Sequence, residues 1–272
     1  MIFTVRIKLY ASLLLVLAWM SPIVAQQRLL VAGGGKRPAE AIRKFADWAG
    51  GDKARILIVT WASGVPEESF AGLNNDFARI QTASIEHAPI APLDAAERAK
   101  FLEQLSTATG VFFSGGDQNR IMDVLGDSEL LKIILTKYHA GIPFGGTSAG
   151  AAAMSDPMMT GEADLKIIDG TKVGVRKGIG FVPEVIFDQH FLVRQRHNRL
   201  FSLIIKNAQT LGIGIDEDTA VLISDSRYVE VFGGTQVMFV DGRNRKGSMM
   251  VSLLKSGERF DLKKRKRIER LK

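Results

Sequence analysis

Apolar runs of strand length recur along the chain, separated by longer stretches whose apolar residues have helical spacing. The runs lie at residues 29–32, 56–59, 110–113, 141–145, 186–187 and 212–215. This alternation is typical of a parallel sheet covered by helices on both faces. Three later runs, at residues 220–223, 228–232 and 237–240, are joined by turn residues and predict an antiparallel addition. We predict an α/β fold: a three-layer sandwich with a mostly parallel central sheet and a C-terminal antiparallel β extension.

The stretches between the runs predict helices. Proline suits the first turn of a helix, which places one start at Pro38. Aspartate is a preferred N-terminal cap, which places another start at Asp94. Three further helices are predicted. One has an apolar stripe over residues 70–80, and the other two span residues 121–134 and 196–208.

Polar residues gather where the predicted strands end. They occur at residues 114–118, at Ser148, at residues 188–190 and at residues 216–218. Ligands of open α/β sheets bind beyond the carboxyl ends of the strands. We therefore expect these four segments to converge on one site.

The first 25 residues have the organisation of a secretory leader. Arg6 and Lys8 precede an apolar stretch over residues 9–20, and Ala25 ends a small-residue cleavage site. The apolar stretch is shorter than the roughly 20 residues that a membrane span needs. We expect residues 1–25 to be a signal peptide and the mature protein to be exported to the periplasm or the medium, without a stable membrane span.

Length and composition indicate one domain after the leader. A 272-residue chain that is 46% hydrophobic can bury one full core, and we assign residues 26–260 to a single globular domain. The net charge of +7 arises from the leader and from residues 261–272, which carry seven basic and two acidic side chains. We expect this segment to be a solvated basic tail, and we expect no nucleic-acid partner.

Cysteine and histidine usage narrows the chemistry. The absence of cysteine excludes disulfides and a thiol nucleophile. Four scattered histidines without thiolate ligands make a metal site improbable, so we expect neither a metal nor an organic cofactor.

The segment Gly146-Thr147-Ser148-Ala149-Gly150 is a Gly-x-Ser-x-Gly motif after a short apolar run. In that setting the motif is typical of a nucleophile elbow, a sharp strand-to-helix turn that presents a serine hydroxyl. A serine hydroxyl needs a general base, and His190 is our candidate because it directly follows a predicted strand end. The base in turn needs a carboxylate. The spacing leaves Asp216, Glu217 and Asp218 open, with Glu162 as an outside choice.

Four segments together resemble one known family. They are Phe112 to Gln118, Gly146 to Ala151, Asp188 to Leu200 with its three arginines, and Gly212 to Glu217. In this order they are similar to the cyanophycinases, serine peptidases of a family that also contains the aspartyl dipeptidases and has a core related to class I glutamine amidotransferases. The resemblance covers nearly all of residues 28–240.

The resemblance implies that Ser148 is the nucleophile, His190 the base and Glu217 the acid. It also implies an oxyanion hole formed by backbone N–H groups of Gly115 or Gly116 and of Ala149. Its implied substrate, cyanophycin, is a polyaspartate with arginine linked to the side-chain carboxyls, cleaved to β-Asp-Arg dipeptides. A homodimer is the implied assembly.

Such a substrate requires receptors for carboxylate, guanidinium and amide groups. The candidate substrate-binding residues are Asp117, Gln118, Asp188, Gln189, Arg194, Arg196 and Arg199. The run Ala151 to Met154 and the residues between the arginines differ from the family's usual pattern. These differences leave the triad assignment unchanged and concern the substrate, since pocket lining, not the nucleophile, sets specificity.

Three other functions fit parts of the pattern. An aspartyl dipeptidase-like enzyme would use the same mechanism on other acidic peptides. An α/β-hydrolase esterase would require a histidine after the acid, and none follows Glu217. A noncatalytic peptide-binding relative would keep the fold without the reaction.

Overall fold

The structure is a computed structural model that describes residues 25–126, 129–243 and 247–269. Residues 1–24 of the predicted leader, which spans residues 1–25, lie outside the described residues. Within the described segments, no helix combines the length and apolarity needed to cross a membrane.

Fifteen strands and seven α-helices form the described part of the chain. The strands are β1 Arg28–Ala32, β2 Arg55–Val59, β3 Ser84–His87, β4 Gly110–Phe113, β5 Phe144–Thr147, β6 Met158–Ala163, β7 Val173–Arg176, β8 Val185–Gln189, β9 Leu211–Ile215, β10 Thr219–Ser224, β11 Tyr228–Gly233, β12 Val237–Asp241, β13 Met250–Leu254, β14 Arg259–Asp261 and β15 Lys266–Ile268. The helices are α1 Ala39–Trp48, α2 Pro66–Phe77, α3 Ala95–Thr107, α4 Gln118–Leu125, α5 Glu129–His139, α6 Ala149–Ala152 and α7 His197–Lys206.

A nine-stranded sheet forms the centre, in the order β15-β14-β11-β10-β1-β5-β4-β2-β3. The five strands from β1 to β3 in that order pair in parallel, and the other four are antiparallel. Side chains alternate across the sheet, so Leu30 packs with α1 on one face and Leu29 joins the larger core on the other. This architecture confirms the predicted α/β class.

A second sheet of four strands, in the order β13-β12-β9-β8, packs against the larger core. The predicted β extension is present, but its strands divide between the two sheets. β10 and β11 extend the central sheet, whereas β12 pairs with β9. The chain leaves the central sheet at Gly233, where φ is +116° and a side chain would collide with the carbonyl of Asp218. Strands β8 and β9 therefore belong to a separate sheet, which packs against the same core as the central sheet.

The helix predicted across residues 121–134 is two helices. Helix α4 ends at Leu125, and α5 begins at Glu129. Gly126 follows α4 with φ +43°, a conformation that ends helices and favours glycine. The predicted cap of α3 is confirmed, because the Asp94 carboxylate accepts the N–H of Glu97 at 2.8 Å.

Residues 261–269 do not form the solvated tail that their charge predicts. Strand β15 pairs with β14, which pairs with β11. Arg265 is 7% exposed and donates to the Asp241 carboxylate at 2.7 Å and to the carbonyl of Gln209. The segment is therefore part of the fold through β15 and the Arg265–Asp241 ion pair, whereas the side chains of the four other basic residues in the run are exposed.

Candidate active site

Ser148 lies in the sharp turn between β5 and α6. Its φ of +53° and ψ of −113° are unusual for a residue with a side chain. The turn requires glycine on both sides. A Cβ at Gly146 would lie 2.7 Å from the carbonyl carbon of Gly150, and one at Gly150 would lie 2.5 Å from the carbonyl oxygen of Phe113. The sequence motif thus folds into the strained turn that it predicts.

His190 follows β8 and faces Ser148 from the second sheet. Its Nε2 atom lies 2.7 Å from Ser148 Oγ. The backbone N–H of His190 donates to the carbonyl of Gly33 at 2.8 Å, which ties the loop after β8 to the loop after β1. The carboxyl ends of two strands in separate sheets therefore meet at this hydroxyl–imidazole contact.

Glu217 follows β9, the neighbour of β8. Its Oε1 atom lies 2.5 Å from His190 Nδ1. The flanking carboxylates have other partners: Asp216 accepts the N–H groups of Leu192 and Val193 at 3.1 Å, and Asp218 accepts the N–H of Lys36 at 2.6 Å. Of the carboxylates that the spacing left open, Glu217 is the one placed against the imidazole.

Burial lowers the pKa of His190 from its ordinary value of 6.5. The hydrogen bond to Glu217 opposes this effect, and the nearby charge of Arg194 reinforces it. His190 is therefore neutral at neutral pH, which is the form that can take a proton from a serine hydroxyl.

The three expected oxyanion-hole positions lie around this turn. A Cβ at Gly115 would lie 3.3 Å from Ser148 Cβ and 3.7 Å from its Oγ, so Gly115 borders the hydroxyl. Gly116 has φ +136° and passes so close to Ala62 that a Cβ would lie 2.0 Å from the Ala62 carbonyl oxygen. Ala149 is the first residue of α6.

A cleft of about 380 Å³ opens beside the serine. Part of its lining comes from α2 and the residue before it, and the rest comes from the loops after β1 and β4, the end of β5, Ser148 and His190. The lining residues are Gly34, Gly35, Arg37, Val65, Glu68, Ser69, Gly72, Leu73, Ser114, Gly115, Thr147, Ser148 and His190.

Two expected substrate ligands instead bind each other. The guanidinium of Arg199 donates to both carboxylate oxygens of Asp188, through Nε at 2.9 Å and through Nη2. Arg199 is 4% exposed and Asp188 1%. Their placement corrects the expectation that they contact substrate, because each buried charge is taken up by the other. The pair links α7 to β8, the strand that ends at His190.

Arg196 and Gln189 are hydrogen-bonded to each other across the loop that carries His190. Arg196 Nη1 donates to the Gln189 carbonyl at 2.8 Å, and burial lowers the pKa of Arg196 to about 10. The Gln189 side-chain oxygen lies 3.5 Å from Ser148 Oγ. Arg194, by contrast, is exposed next to His190.

Gln118 and Asp117 lie at the start of α4. Gln118 is 6% exposed and donates from Nε2 to the carbonyl of Met159 at 2.8 Å, which anchors β6. Asp117 caps α4 by accepting the N–H of Asn119 at 2.8 Å. Glu162, the outside candidate for the acid, is exposed on β6.

The loop Gly33–Gly35 was not among the predicted site residues, yet it packs directly against the imidazole of His190. A Cβ at Gly34, where φ is +122°, would lie 2.3 Å from His190 Cε1. The Gly34 carbonyl also accepts the N–H of Asp218 at 3.0 Å. Three consecutive glycines directly after the first strand were the available signal, since glycine at a strand end permits close approach of another group.

A hydroxyl on a nucleophile elbow, hydrogen-bonded to a carboxylate-paired imidazole on an α/β fold, defines a serine hydrolase. The sequence profile of peptidase family S51 matches residues 29–231, and the chain belongs to that family of serine-type peptidases. The resemblance identified from the four segments is thereby confirmed.

Curated relatives carry the name cyanophycinase. The protein from Trichormus variabilis is 34% identical over 225 residues, which cover 81% of this chain and 76% of the relative. The one from Geminocystis herdmanii is 34% identical over 219 residues, which cover 79% and 80%.

Solved structures share the fold. A peptidase from an acI-B1 Actinobacterium superposes with a TM-score of 0.68 at 21% identity, covering 88% of this chain and 97% of that one. A putative peptidase E protein from Listeria monocytogenes gives a TM-score of 0.56 at 16% identity, covering 78% and 100%.

Proposed function

We propose that this peptidase degrades cyanophycin to β-Asp-Arg dipeptides through an acyl-enzyme on Ser148. The observation that carries the proposal is the hydrogen-bonded succession of Ser148, His190 and Glu217 beside an open cleft. The substrate assignment draws on relatives named cyanophycinase that are 34% identical over most of the chain.

The first half of the proposed reaction forms the acyl-enzyme. Ser148 Oγ attacks the carbonyl carbon of the scissile backbone amide while its proton passes to His190 Nε2. Glu217 accepts the Nδ1–H hydrogen bond, which fixes the tautomer and stabilises the imidazolium. His190 then gives the proton to the leaving amine, the C–N bond breaks, and an ester to Ser148 remains.

The second half releases the dipeptide by hydrolysis. A water molecule gives a proton to His190 Nε2 and attacks the ester carbonyl, and the proton then returns to Ser148 Oγ as the C–O bond breaks. In both halves we assign stabilisation of the tetrahedral oxyanion to backbone N–H groups of Gly115 or Gly116 and of Ala149. Loss of one such donor costs about 2.7–4 kcal/mol in other serine peptidases.

Three of the expected substrate-binding residues that do not line the cleft are candidates for binding the charged polymer. We assign recognition of a free substrate carboxylate to Arg194, which is exposed beside His190. Gln189 is the candidate for orienting the amide, because its side-chain oxygen lies 3.5 Å from the nucleophile. Asp117 remains a candidate at the exposed start of α4.

The proposed setting of the reaction is outside the cytoplasm. The leader pattern of residues 1–25 supports export with cleavage before Gln26. N-terminal sequencing of the protein secreted by its host would test this, and a chain that still begins at Met1 would contradict it. Family resemblance also suggests a homodimer, which sedimentation equilibrium of the purified protein would test.

Product mass analysis after incubation with insoluble cyanophycin tests substrate and bond choice together. We expect β-Asp-Arg dipeptides from the wild type and from Ser106→Ala, a control at an exposed serine of α3, and none from Ser148→Ala. Cleavage of short Asp-X peptides but not of cyanophycin would favour the aspartyl dipeptidase alternative. Folded protein that binds cyanophycin without cleaving it would favour a noncatalytic relative.

A further inference from the structure

Helix α2 contributes a carboxylate to the wall of the catalytic cleft. Glu68 lies in its first turn, lines the cleft and is exposed. Within the described residues, no hydrogen bond or ion pair engages the Glu68 carboxylate. The cleft that Ser148 lines therefore also carries an anionic group that is open to a ligand.

The other carboxylates near the site are already engaged. Glu217 binds His190, Asp216 and Asp218 accept backbone N–H groups, and Asp188 binds Arg199. Asp188 was among the expected substrate-binding residues, and its pairing with Arg199 leaves the role of guanidinium receptor unfilled. Glu68 is the lining group with the right charge to fill it.

Arg37, the one arginine or lysine among the described residues that line the cleft, does not offset this charge. Arg37 donates from Nε to the Asp76 carboxylate at 2.6 Å and from Nη1 to the carbonyl of Gly35 at 3.1 Å. Its positive charge is therefore already paired with Asp76. A cation that enters the cleft finds the Glu68 carboxylate unneutralised.

We infer that Glu68 binds the guanidinium of a substrate arginine and sets the preference of the enzyme for arginine-bearing aspartyl peptides. The inference rests on the proposed function and assigns its specificity to a residue outside the triad. A carboxylate and a guanidinium form paired, charge-assisted hydrogen bonds, and a neutral ureido group of the same shape loses the charge. Glu68 thus acts as a specificity-determining residue.

If Glu68 had a purely structural role in α2, its loss would change the stability of the helix and not the preference for arginine. Acidic residues in a first helical turn stabilise the helix, and α2 has both Glu67 and Glu68 there without a side-chain cap. Glu67 does not line the cleft; its carboxylate lies 3.6 Å from His87 Nδ1. Glu67→Gln is therefore a matched control that removes a charge from the same helical turn.

The test compares kcat/KM on two synthetic oligomers of β-linked Asp-Arg units, one with arginine and one with citrulline, its neutral isostere. We expect the wild type and Glu67→Gln to prefer the arginine oligomer by about tenfold, the effect of a partly exposed charge-assisted hydrogen bond. Glu68→Gln should bring the ratio close to one by losing activity on the arginine oligomer alone. Glu68→Asp should retain part of the preference.

The outcomes distinguish failure of the role assigned to Glu68 from failure of the proposed function. An unchanged ratio in Glu68→Gln, or equal losses on both oligomers, overturns the role of Glu68. A wild-type enzyme without any preference overturns it as well. If the wild type releases dipeptide from neither oligomer, the proposed function itself fails and the inference falls with it. Equal melting temperatures of Glu67→Gln and Glu68→Gln would show that a changed kcat/KM ratio does not come from a folding defect.

Discussion

Gly34 and His190 are in direct contact: a Cβ placed on Gly34 would lie 2.3 Å from His190 Cε1 and 2.7 Å from each ring nitrogen. The imidazole occupies the space that any other residue at position 34 would fill. The loop after β1 thus packs against the imidazole ring whose Nε2 atom lies 2.7 Å from Ser148 Oγ.

Gly34→Ala is expected to lower kcat about 100-fold. The added methyl group forces the ring away from Ser148 Oγ, and a displacement of about 1 Å at a reacting group can cost that much. Steady-state kinetics on cyanophycin measures the effect. Gly51→Ala is the control, because Gly51 also has positive φ (+63°) but no atom within 4 Å of its virtual Cβ. A Gly34→Ala enzyme as active as Gly51→Ala would show that the ring is not held there.

Glu217→Gln is expected to lower kcat by about 10³–10⁴-fold while leaving the fold intact. An amide at this position cannot stabilise the imidazolium, and it can present its N–H to Nδ1 and so favour the wrong tautomer. Single-turnover kinetics on the arginine oligomer would separate this chemical step from binding. Glu162→Gln, at another carboxylate considered for the role, is expected to keep a near wild-type rate. Equal rates for the two variants would remove Glu217 from the catalytic assignment.

The parts of the site that are local in sequence could be predicted from the sequence. Gly146 and Gly150 are required by the turn that carries Ser148, and the five-residue motif encodes all of it. His190 could be selected because it directly follows a strand. The choice among Asp216, Glu217 and Asp218 could not be made by spacing alone, since all three leave the same strand end and only the loop conformation decides which one meets the imidazole.

What depends on tertiary pairing could not be predicted. Arg199 and Asp188 were predicted to bind substrate because the implied polymer requires receptors for its carboxylate and guanidinium groups. Their burial against each other follows from the packing of α7 on β8, which no local pattern specifies. The same holds for Arg265. Its place in a basic run predicted a solvent-exposed side chain, whereas the pairing of β14 with β15 places it in a buried position.

The pH dependence of kcat/KM should have an acidic limb below about pH 6.5. Burial lowers the pKa of His190, so the neutral base persists at pH values where an ordinary histidine is already protonated. Activity falls only as the pH drops through that lowered pKa. Rates measured on the soluble oligomer from about pH 4 to about pH 9 would define the limb.

Arg194→Gln should move this limb to higher pH. The positive charge of Arg194 disfavours protonation of His190, and its removal lets the pKa of the imidazole rise toward its ordinary value. Arg259→Gln removes an equal charge from β14 and should leave the limb in place. A limb that moves to lower pH in Arg194→Gln, or moves equally in both variants, would contradict this account of the electrostatics.

Arg199→Met is expected to destabilise the protein by about 3–5 kcal/mol, because it leaves the Asp188 carboxylate buried without its partner. Urea unfolding monitored by fluorescence would measure the loss of unfolding free energy. Arg98→Ala, which breaks an exposed pair with Glu129, should cost under about 1 kcal/mol. The double variant Asp188→Leu/Arg199→Met should lose less than Arg199→Met alone, since it leaves no unpaired charge in the interior. Additive losses would mean that the two side chains stabilise the fold independently, and the loop that carries His190 would then owe its position to packing instead of to this ion pair.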